Sequence, residues 1–193
     1  MALDTFANLK TSIANYLNRD DLTSYIPDFI ALAEARHGRD LRLRIMESVA
    51  TATATSGTNY LALPTNFLEF KYVALNTTPK IVLRYMSPFE LTRNYGGVTS
   101  GEPVYITLIG ERLYFAPTPD SNYSIEWAYY AKPTALSDDN TSNAILTNHP
   151  DLYLYASLLE SAPFLMQDER LGTWAELYRE AVRVANTSDE SGR

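Results

Sequence analysis

The stretch Ile26-Pro-Asp-Phe-Ile-Ala-Leu-Ala-Glu-Ala-Arg-His-Gly-Arg-Asp-Leu-Arg-Leu43 has the clearest helical pattern in the sequence. Pro27 predicts that a helix starts here, because proline has no N–H to lose in the first turn and its φ angle is already close to helical. Side chains suited to a core then recur on one face, at Ile26, Ile30, Ala33, His37 and Leu41. This stripe needs a partner, and we expect helices from the two ends of the chain to provide it.

Helical patterns do occur at both ends of the sequence. Apolar residues at helical spacing predict a first helix that ends near Asn18, and the short polar connection after it predicts an N-terminal helical hairpin over residues 1–44. The helical period returns at Pro150. Helices within residues 148–186 are expected to complete the bundle, with a kink or an early end at Pro163.

The middle of the chain alternates with a period of two residues, which is typical of half-buried strands. Ala50, Ala52 and Ala54 alternate with threonines, and similar runs recur further along the chain. Residues 45–147 are therefore predicted to form an inserted antiparallel β domain.

Two local sequence patterns predict a turn and a helix within this β domain. Gly110-Glu111 joins two alternating runs and predicts a type II′ hairpin turn, because glycine accepts the positive φ angle of the first central position. Ser87-Pro88 predicts a short helix near residues 88–94, since serine caps a helix and proline fits its first position. The predicted fold class is α+β, with a helical bundle built from N- and C-terminal helices and an inserted antiparallel β-sandwich or barrel.

The composition narrows the class of protein. A chain of 193 residues with 46% hydrophobic residues can bury a substantial core, and the absence of cysteine excludes disulfides and zinc–thiolate sites. With 16 basic and 23 acidic residues, the net charge of −7 argues against a dedicated nucleic-acid-binding role. No apolar run reaches the roughly 18 residues of a membrane span, and no signal peptide is predicted.

The sequence lacks the motifs of the common catalytic sites. It contains no phosphate-binding or dinucleotide-binding glycine pattern, and its two histidines, His37 and His149, have no nucleophile positioned beside them. Acidic pairs such as Asp20-Asp21, Asp138-Asp139 and Asp168-Glu169 are interpreted as turn residues. We therefore predict no enzymatic activity, no cofactor and no metal site.

Two surface features remain candidates for binding. The first is a basic cluster on the Ile26 helix and just after it, which consists of Arg36, Arg39, Arg42 and Arg44. Its spacing from Asp40 predicts local i,i+4 ion pairs on a solvated face. The alternative is a face that meets an acidic partner or lines a channel carrying DNA.

The second feature is the set of fourteen tyrosines, many of which lie in alternating runs. They are interpreted as packing residues of half-buried strands or subunit contacts, and a platform that stacks on sugar rings is the alternative. After the last helical pattern, residues 187–193 are predicted to form a polar flexible tail.

Three segments resemble one known family. They are Leu17-Asn-Arg-Asp-Asp-Leu22 with the Ile26–Arg36 segment, Leu63-Pro-Thr-Asn-Phe-Leu-Glu69, and Pro150-Asp-Leu-Tyr-Leu-Tyr-Ala-Ser-Leu-Leu-Glu-Ser-Ala-Pro-Phe-Leu165. The sequence is similar there to the head-to-tail adaptor, or connector, proteins of short-tailed bacteriophages, which are related to tail tubular protein A. The resemblance spans nearly the whole chain, and its motifs are structural rather than catalytic.

The resemblance implies a structural virion protein at the head–tail junction, assembled in the host cytoplasm. It implies a ring of twelve subunits that joins the portal protein to the tail tube or nozzle and the tail fibre proteins, and that extends the DNA channel. DNA would pass without sequence-specific binding, and no membrane would be involved. It also implies a portal-docking tail, made of Asn186, Thr187, Ser188, Asp189, Glu190, Ser191, Gly192 and Arg193. The alternative is a carbohydrate-binding or hydrolytic phage tail module that uses the tyrosine-bearing sheet and loop carboxylates.

Overall fold

A computed structural model of the chain describes residues 3–96, 100–165 and 168–191. It divides into two compact units. The helical unit combines the residues up to Met46 with those from Lys132 onward, and the β unit comprises Glu47–Ala131. The sequence thus contains the β unit between the two halves of the helical unit.

The helices are α1 (Phe6–Leu17), α2 (Ile26–Asp40), α3 (Pro88–Tyr95), α4 (Ala144–Asn148), α5 (Pro150–Glu160), α6 (Ala162–Leu165) and α7 (Arg170–Ser191). The strands are β1 (Glu47–Ala54), β2 (Tyr60–Ala62), β3 (Phe67–Leu75), β4 (Ile81–Val82), β5 (Arg84–Tyr85), β6 (Ser100–Gly101), β7 (Tyr105–Ile109), β8 (Arg112–Ala116), β9 (Thr118–Pro119) and β10 (Tyr123–Ala131). Short 3₁₀ helices cover Asp20–Tyr25 and Arg44–Met46.

The ends of the first helices follow from local sequence. Thr5 caps α1, with its Oγ1 accepting the Asn8 N–H at 3.3 Å. Asn18 ends the same helix in the left-handed conformation, at φ 52°, which asparagine tolerates better than most residues. Pro27 lies in the first turn of α2, as predicted. The predicted stripe of α2 is buried, whereas Leu32 beside it is half-exposed.

Helix α5 is the central element of the helical unit. It packs against α1, α2, α4 and α7. Its buried residues occupy most of its circumference: Leu152, Tyr153, Leu154, Ala156, Ser157 and Leu158. The helix ends at Glu160, and α6 begins at Ala162, which agrees with the break expected near Pro163.

The boundary after the β unit differs from the expected one. The sequence pattern predicts a β domain up to residue 147, whereas residues from Lys132 onward pack with the helices. Leu136, Ile145 and Leu146 are buried there, so this polar-looking segment has apolar anchors. A hydrogen bond of 2.7 Å from the Leu136 N–H to Glu34 attaches it to α2.

Helix α7 continues through most of the segment expected to be a flexible tail. It extends to Ser191, with Trp174, Tyr178 and Ala185 buried. Neither proline nor glycine interrupts the sequence between Thr173 and Ser191, so a polar segment can extend the helix. Gly192 and Arg193, which were also assigned to the tail, lie outside the described residues.

The β unit contains two four-stranded sheets, with strand orders β1-β10-β3-β4 and β2-β8-β7-β5, and a β6–β9 pair. Within the described residues no sheet closes into a barrel, so the barrel alternative is wrong. The antiparallel prediction also fails for two short pairs, because β5 pairs with β7 and β6 with β9 in parallel. These strands have only two paired positions each, too few for any sequence pattern to indicate direction.

One hydrophobic cluster receives residues from both four-stranded sheets, including Val73, Leu75, Ile125 and Trp127 from one sheet and Leu113 and Phe115 from the other. The predicted β7–β8 hairpin is present. Gly110 has φ 59° and Glu111 does not have a positive φ angle, which is the pattern of a type II′ turn. The chain is therefore a mixed α and β protein.

Candidate interaction surfaces

The contacts of Arg36, the first residue of the arginine cluster, differ from the pairing that its spacing predicted. Arg36 does not pair with Asp40; its Nε donates to Glu160 Oε1 at 2.7 Å, and a second guanidinium nitrogen contacts the same carboxylate. The guanidinium also lies 5.7 Å from the ring centroid of Tyr178. Sequence spacing could not indicate this pair, because Glu160 is 124 residues away along the chain.

Asp40 has a structural partner instead. The Tyr178 hydroxyl donates to Asp40 Oδ2 at 2.9 Å, which joins α7 to the end of α2. Burial, and then the hydrogen bond to this carboxylate, raise the pKa of Tyr178. Arg39 is exposed, and its positive charge is close enough to Tyr178 to oppose the rise in the pKa of that hydroxyl.

The other two arginines lie just beyond α2. The Arg42 guanidinium donates to the carbonyl oxygens of Gly38 and Leu41, at 2.9 and 2.7 Å, so this side chain helps to close the helix end. Arg44 is exposed in the following 3₁₀ helix. Arg36 and Arg42 therefore make contacts within the helical unit, and the side chain of Arg39 is exposed.

The predicted docking tail begins with a residue that belongs to the fold. Asn186 Nδ2 donates to the Asp40 carbonyl oxygen and Asn186 Oδ1 accepts the Arg42 N–H. Thr187 and Ser188 are exposed on α7, whereas nothing is described for the side chains of residues 189–193.

A half-buried polar cluster lies on α2 and α5, and the sequence pattern did not predict it. Glu34 Oε1 accepts the Leu136 N–H at 2.7 Å and the Tyr153 hydroxyl at 3.1 Å. Asn143 donates to the same hydroxyl oxygen at 2.6 Å. Burial raises the pKa of Glu34, although the hydrogen bonds from Leu136 and Tyr153 oppose the rise. In the sequence, the only indication of this cluster is that Glu34 lies three residues before His37, and so close to the apolar stripe of α2.

His37 is a core residue of the helical unit. Its Nε2 lies 3.4 Å from the Leu152 carbonyl oxygen, and its ring contacts the edge of Tyr153. Burial lowers the pKa of His37 to about 4, so the ring is neutral at physiological pH. His149 lies between α4 and α5 as the residue before Pro150. No nucleophile accompanies either ring among the hydrogen bonds of the described residues.

The acidic pairs form ion pairs at turns and helix ends. Asp21 is bound by Arg19, Asp138 by Lys10 and Asp168 by Arg170. The hydrogen bond from the arginine side chain lowers the pKa of Asp21, and the same is true of Asp168. Within the described part of the chain, no three acidic or histidine side chains are grouped as metal ligands.

The tyrosines do not form one platform. Tyr129, Tyr130, Tyr153 and Tyr178 are buried, whereas Tyr60, Tyr72 and Tyr85 are exposed in the β unit. Tyr72 and Tyr85 lie at an apolar groove of about 400 Å³, whose other lining residues include Phe70, Val82 and Ile106. Among the described helices, none combines the length and apolar character needed to cross a bilayer.

Comparison with known families gives the decisive match. The model of the SU10 adaptor protein family matches residues 4–193. The chain belongs to the SU10 adaptor protein family. No curated protein matches it.

Membership in this family confirms that the sequence resembles phage head-to-tail adaptors. It identifies the chain as a structural adaptor of a bacteriophage, and hence a component of the virion that associates with other phage head and tail proteins. A structural family implies that this SU10 adaptor is not an enzyme.

Proposed function

We propose that this SU10 adaptor is the subunit of a ring that joins the portal to the tail and extends the DNA channel. The observation that carries the proposal is the family match over residues 4–193, which includes both the helical unit and the β unit. A ring of twelve subunits is the expected stoichiometry, by analogy with related adaptors. As part of the same proposal, the helices act as one bundle and the two β sheets as a sandwich.

Exposed apolar side chains support a role in assembly. Val49, Tyr85 and Phe89 are 63%, 67% and 74% exposed, and α3, which contains Phe89, has no buried residue. A closed ring needs two different complementary surfaces on each subunit, and contacts with neighbours would cover apolar groups of this kind. These residues are therefore proposed as subunit or partner contacts.

The exposed arginines are proposed as a basic contact face. Arg39 is exposed in the last turn of α2, and Arg44 is exposed in the 3₁₀ helix that follows. In a chain of net charge −7, such a face suits an anionic surface, either an acidic partner or the phosphates of passing DNA. The proposed portal-docking arm is limited to residues 187–193, because Asn186 is engaged with α2.

The proposal is tested by mixing the purified chain with the portal ring of the same phage and imaging the complex by electron microscopy. A second ring on one end of the portal, with an axial channel and a fixed subunit number, is expected. A chain that leaves the portal bare, or that binds only after another tail protein, would contradict the proposal. Portal incubated with a phage protein of another family is the control for nonspecific attachment.

A further inference from the structure

A small, partly open cavity lies in the helical unit, beside the half-buried polar cluster of α2 and α5. It is lined by Glu34, His37, Lys132, Pro133, Ile145 and Tyr153, and its volume is about 10 Å³. A single water molecule needs roughly 10–15 Å³ on this measure. The cavity therefore has room for one water molecule and for nothing larger.

The hydrogen bonding of His37 leaves one ring nitrogen without a donor. Because a carbonyl oxygen can only accept, the 3.4 Å contact with Leu152 assigns the proton of the neutral ring to Nε2. Nδ1 is then an acceptor. The ring is 1% exposed, and no atom of the described residues hydrogen-bonds Nδ1. Buried acceptors of this kind are normally satisfied by protein or by an ordered water molecule.

The remaining lining groups can complete the bonds of a water molecule. Both described hydrogen bonds to Glu34, from the Leu136 N–H and the Tyr153 hydroxyl, go to Oε1. Oε2 has the capacity to accept another. Lys132 also lines the cavity, and its charge acts to lower the pKa of Glu34. The two acceptors, His37 Nδ1 and Glu34 Oε2, match the lower end of the two to four partners that a buried water molecule usually has.

We propose that this cavity binds one ordered water molecule, which donates one hydrogen bond to His37 Nδ1 and the other to Glu34 Oε2. The water molecule would connect two residues of α2 that are three positions apart, beside Lys132 and Pro133 of the segment that follows β10. This inference is independent of the proposed ring, because it concerns only residues of one helical unit.

A crystal structure of the full chain, at a resolution that shows ordered waters, tests the proposal directly. The expected result is a single peak at a hydrogen-bond distance, about 2.7–3.2 Å, from both His37 Nδ1 and Glu34 Oε2. A cavity without a peak would overturn the proposal. Direct contact of the Lys132 ammonium group with Nδ1 would overturn it equally.

Nitrogen NMR of the histidine side chains provides a second test in solution. The expected spectrum shows a proton on Nε2, an Nδ1 shift typical of a hydrogen-bonded acceptor, and magnetisation transfer from water to the ring. Glu34→Gln should shift the Nδ1 resonance, whereas Glu160→Gln, which changes a carboxylate outside the cavity, should leave it in place. Equal effects of the two variants, or an Nδ1 resonance typical of a free nitrogen, would contradict the proposal.

Discussion

Asn186 donates a hydrogen bond from its side-chain Nδ2 to the carbonyl oxygen of Asp40, at 3.3 Å. Its Oδ1 also accepts the Arg42 N–H, at 3.4 Å. The last carbonyls of a helix have no partner within that helix, so Asn186 satisfies a backbone group that would otherwise depend on water. One side chain near the end of α7 thereby fixes the end of α2.

Asn186→Ala should destabilise the helical unit. The loss of these two long hydrogen bonds predicts a decrease of about 0.5–1.5 kcal/mol in the free energy of unfolding, measured by urea titration. Thr187→Ala is the matched control, because Thr187 is exposed on the same helix and should change stability by less than about 0.5 kcal/mol. Equal effects of the two substitutions would show that the contact with α2 adds no stability.

Deletion of residues 187–193 should affect binding to the portal without affecting the fold of the chain. Because Asn186 is retained, the free energy of unfolding should change little, while binding to the portal should weaken at least about tenfold. Portal binding can be measured by co-sedimentation with purified portal rings. A variant with glycine and serine in place of these seven residues is the control for chain length. Unchanged attachment of the shortened chain would remove the docking-arm proposal.

Arg36→Ala should be more costly than a similar change at an exposed ion pair. The side chains of Arg36 and Glu160 are 32% and 18% exposed, and Arg36 also contacts the Tyr178 ring. We expect a loss of about 1–2 kcal/mol, between the values for exposed and buried pairs. Arg183→Ala is the control, because Arg183 and Glu180 are 65% and 58% exposed. Its expected effect on urea unfolding is below about 0.5 kcal/mol.

Two glycines should respond in opposite directions to alanine. Gly110→Ala places a side chain at φ 59° in the β7–β8 turn, and we expect a loss of about 1 kcal/mol. Gly172→Ala lies in α7, where a Cβ atom meets nothing within 4 Å, and should stabilise the chain by up to about 1 kcal/mol. Thermal unfolding of both variants measures the signs. Destabilisation by Gly172→Ala would indicate that the start of α7 is not helical in solution.

Local signals accounted for the features that the sequence predicted well. Pro27 and Ser87-Pro88 indicated helix starts, and Gly110 indicated the hairpin. Each depends on backbone preferences of one or two residues, so a neighbour in sequence is sufficient to determine the outcome.

The features that the sequence did not predict depend mostly on contacts between residues far apart in the chain. The expected pairing of Arg36 with Asp40 is replaced by Glu160, and residues after Lys132 join the helices through Leu136 and Glu34. Partners more than a hundred residues apart leave no periodic signal in a single sequence. The extension of α7 was missed for another reason, because its polar residues were interpreted as a tail when an exposed helix accommodates them equally well.

The buried imidazole of His37 should make stability depend on pH. Its pKa in the folded chain is about 4, below the value near 6.5 expected when unfolded, so the unfolded chain binds the extra proton first. Stability should therefore be fully present above pH 6.5 and fall as the pH decreases toward 4, by up to roughly 3 kcal/mol. Glu34, whose pKa is raised, opposes part of this loss at the acidic end.

The His37 contribution is isolated by comparison with His37→Phe, through urea unfolding at several pH values between 7 and 4. The variant should show a smaller decrease over this range, because it has no imidazole to protonate on unfolding. Phe29→Leu, an apolar change in the same helix, controls for lost packing and should keep the wild-type slope although its stability is lower. If His37→Phe retained the full pH dependence, the loss of stability would have to arise from carboxylates rather than from this ring.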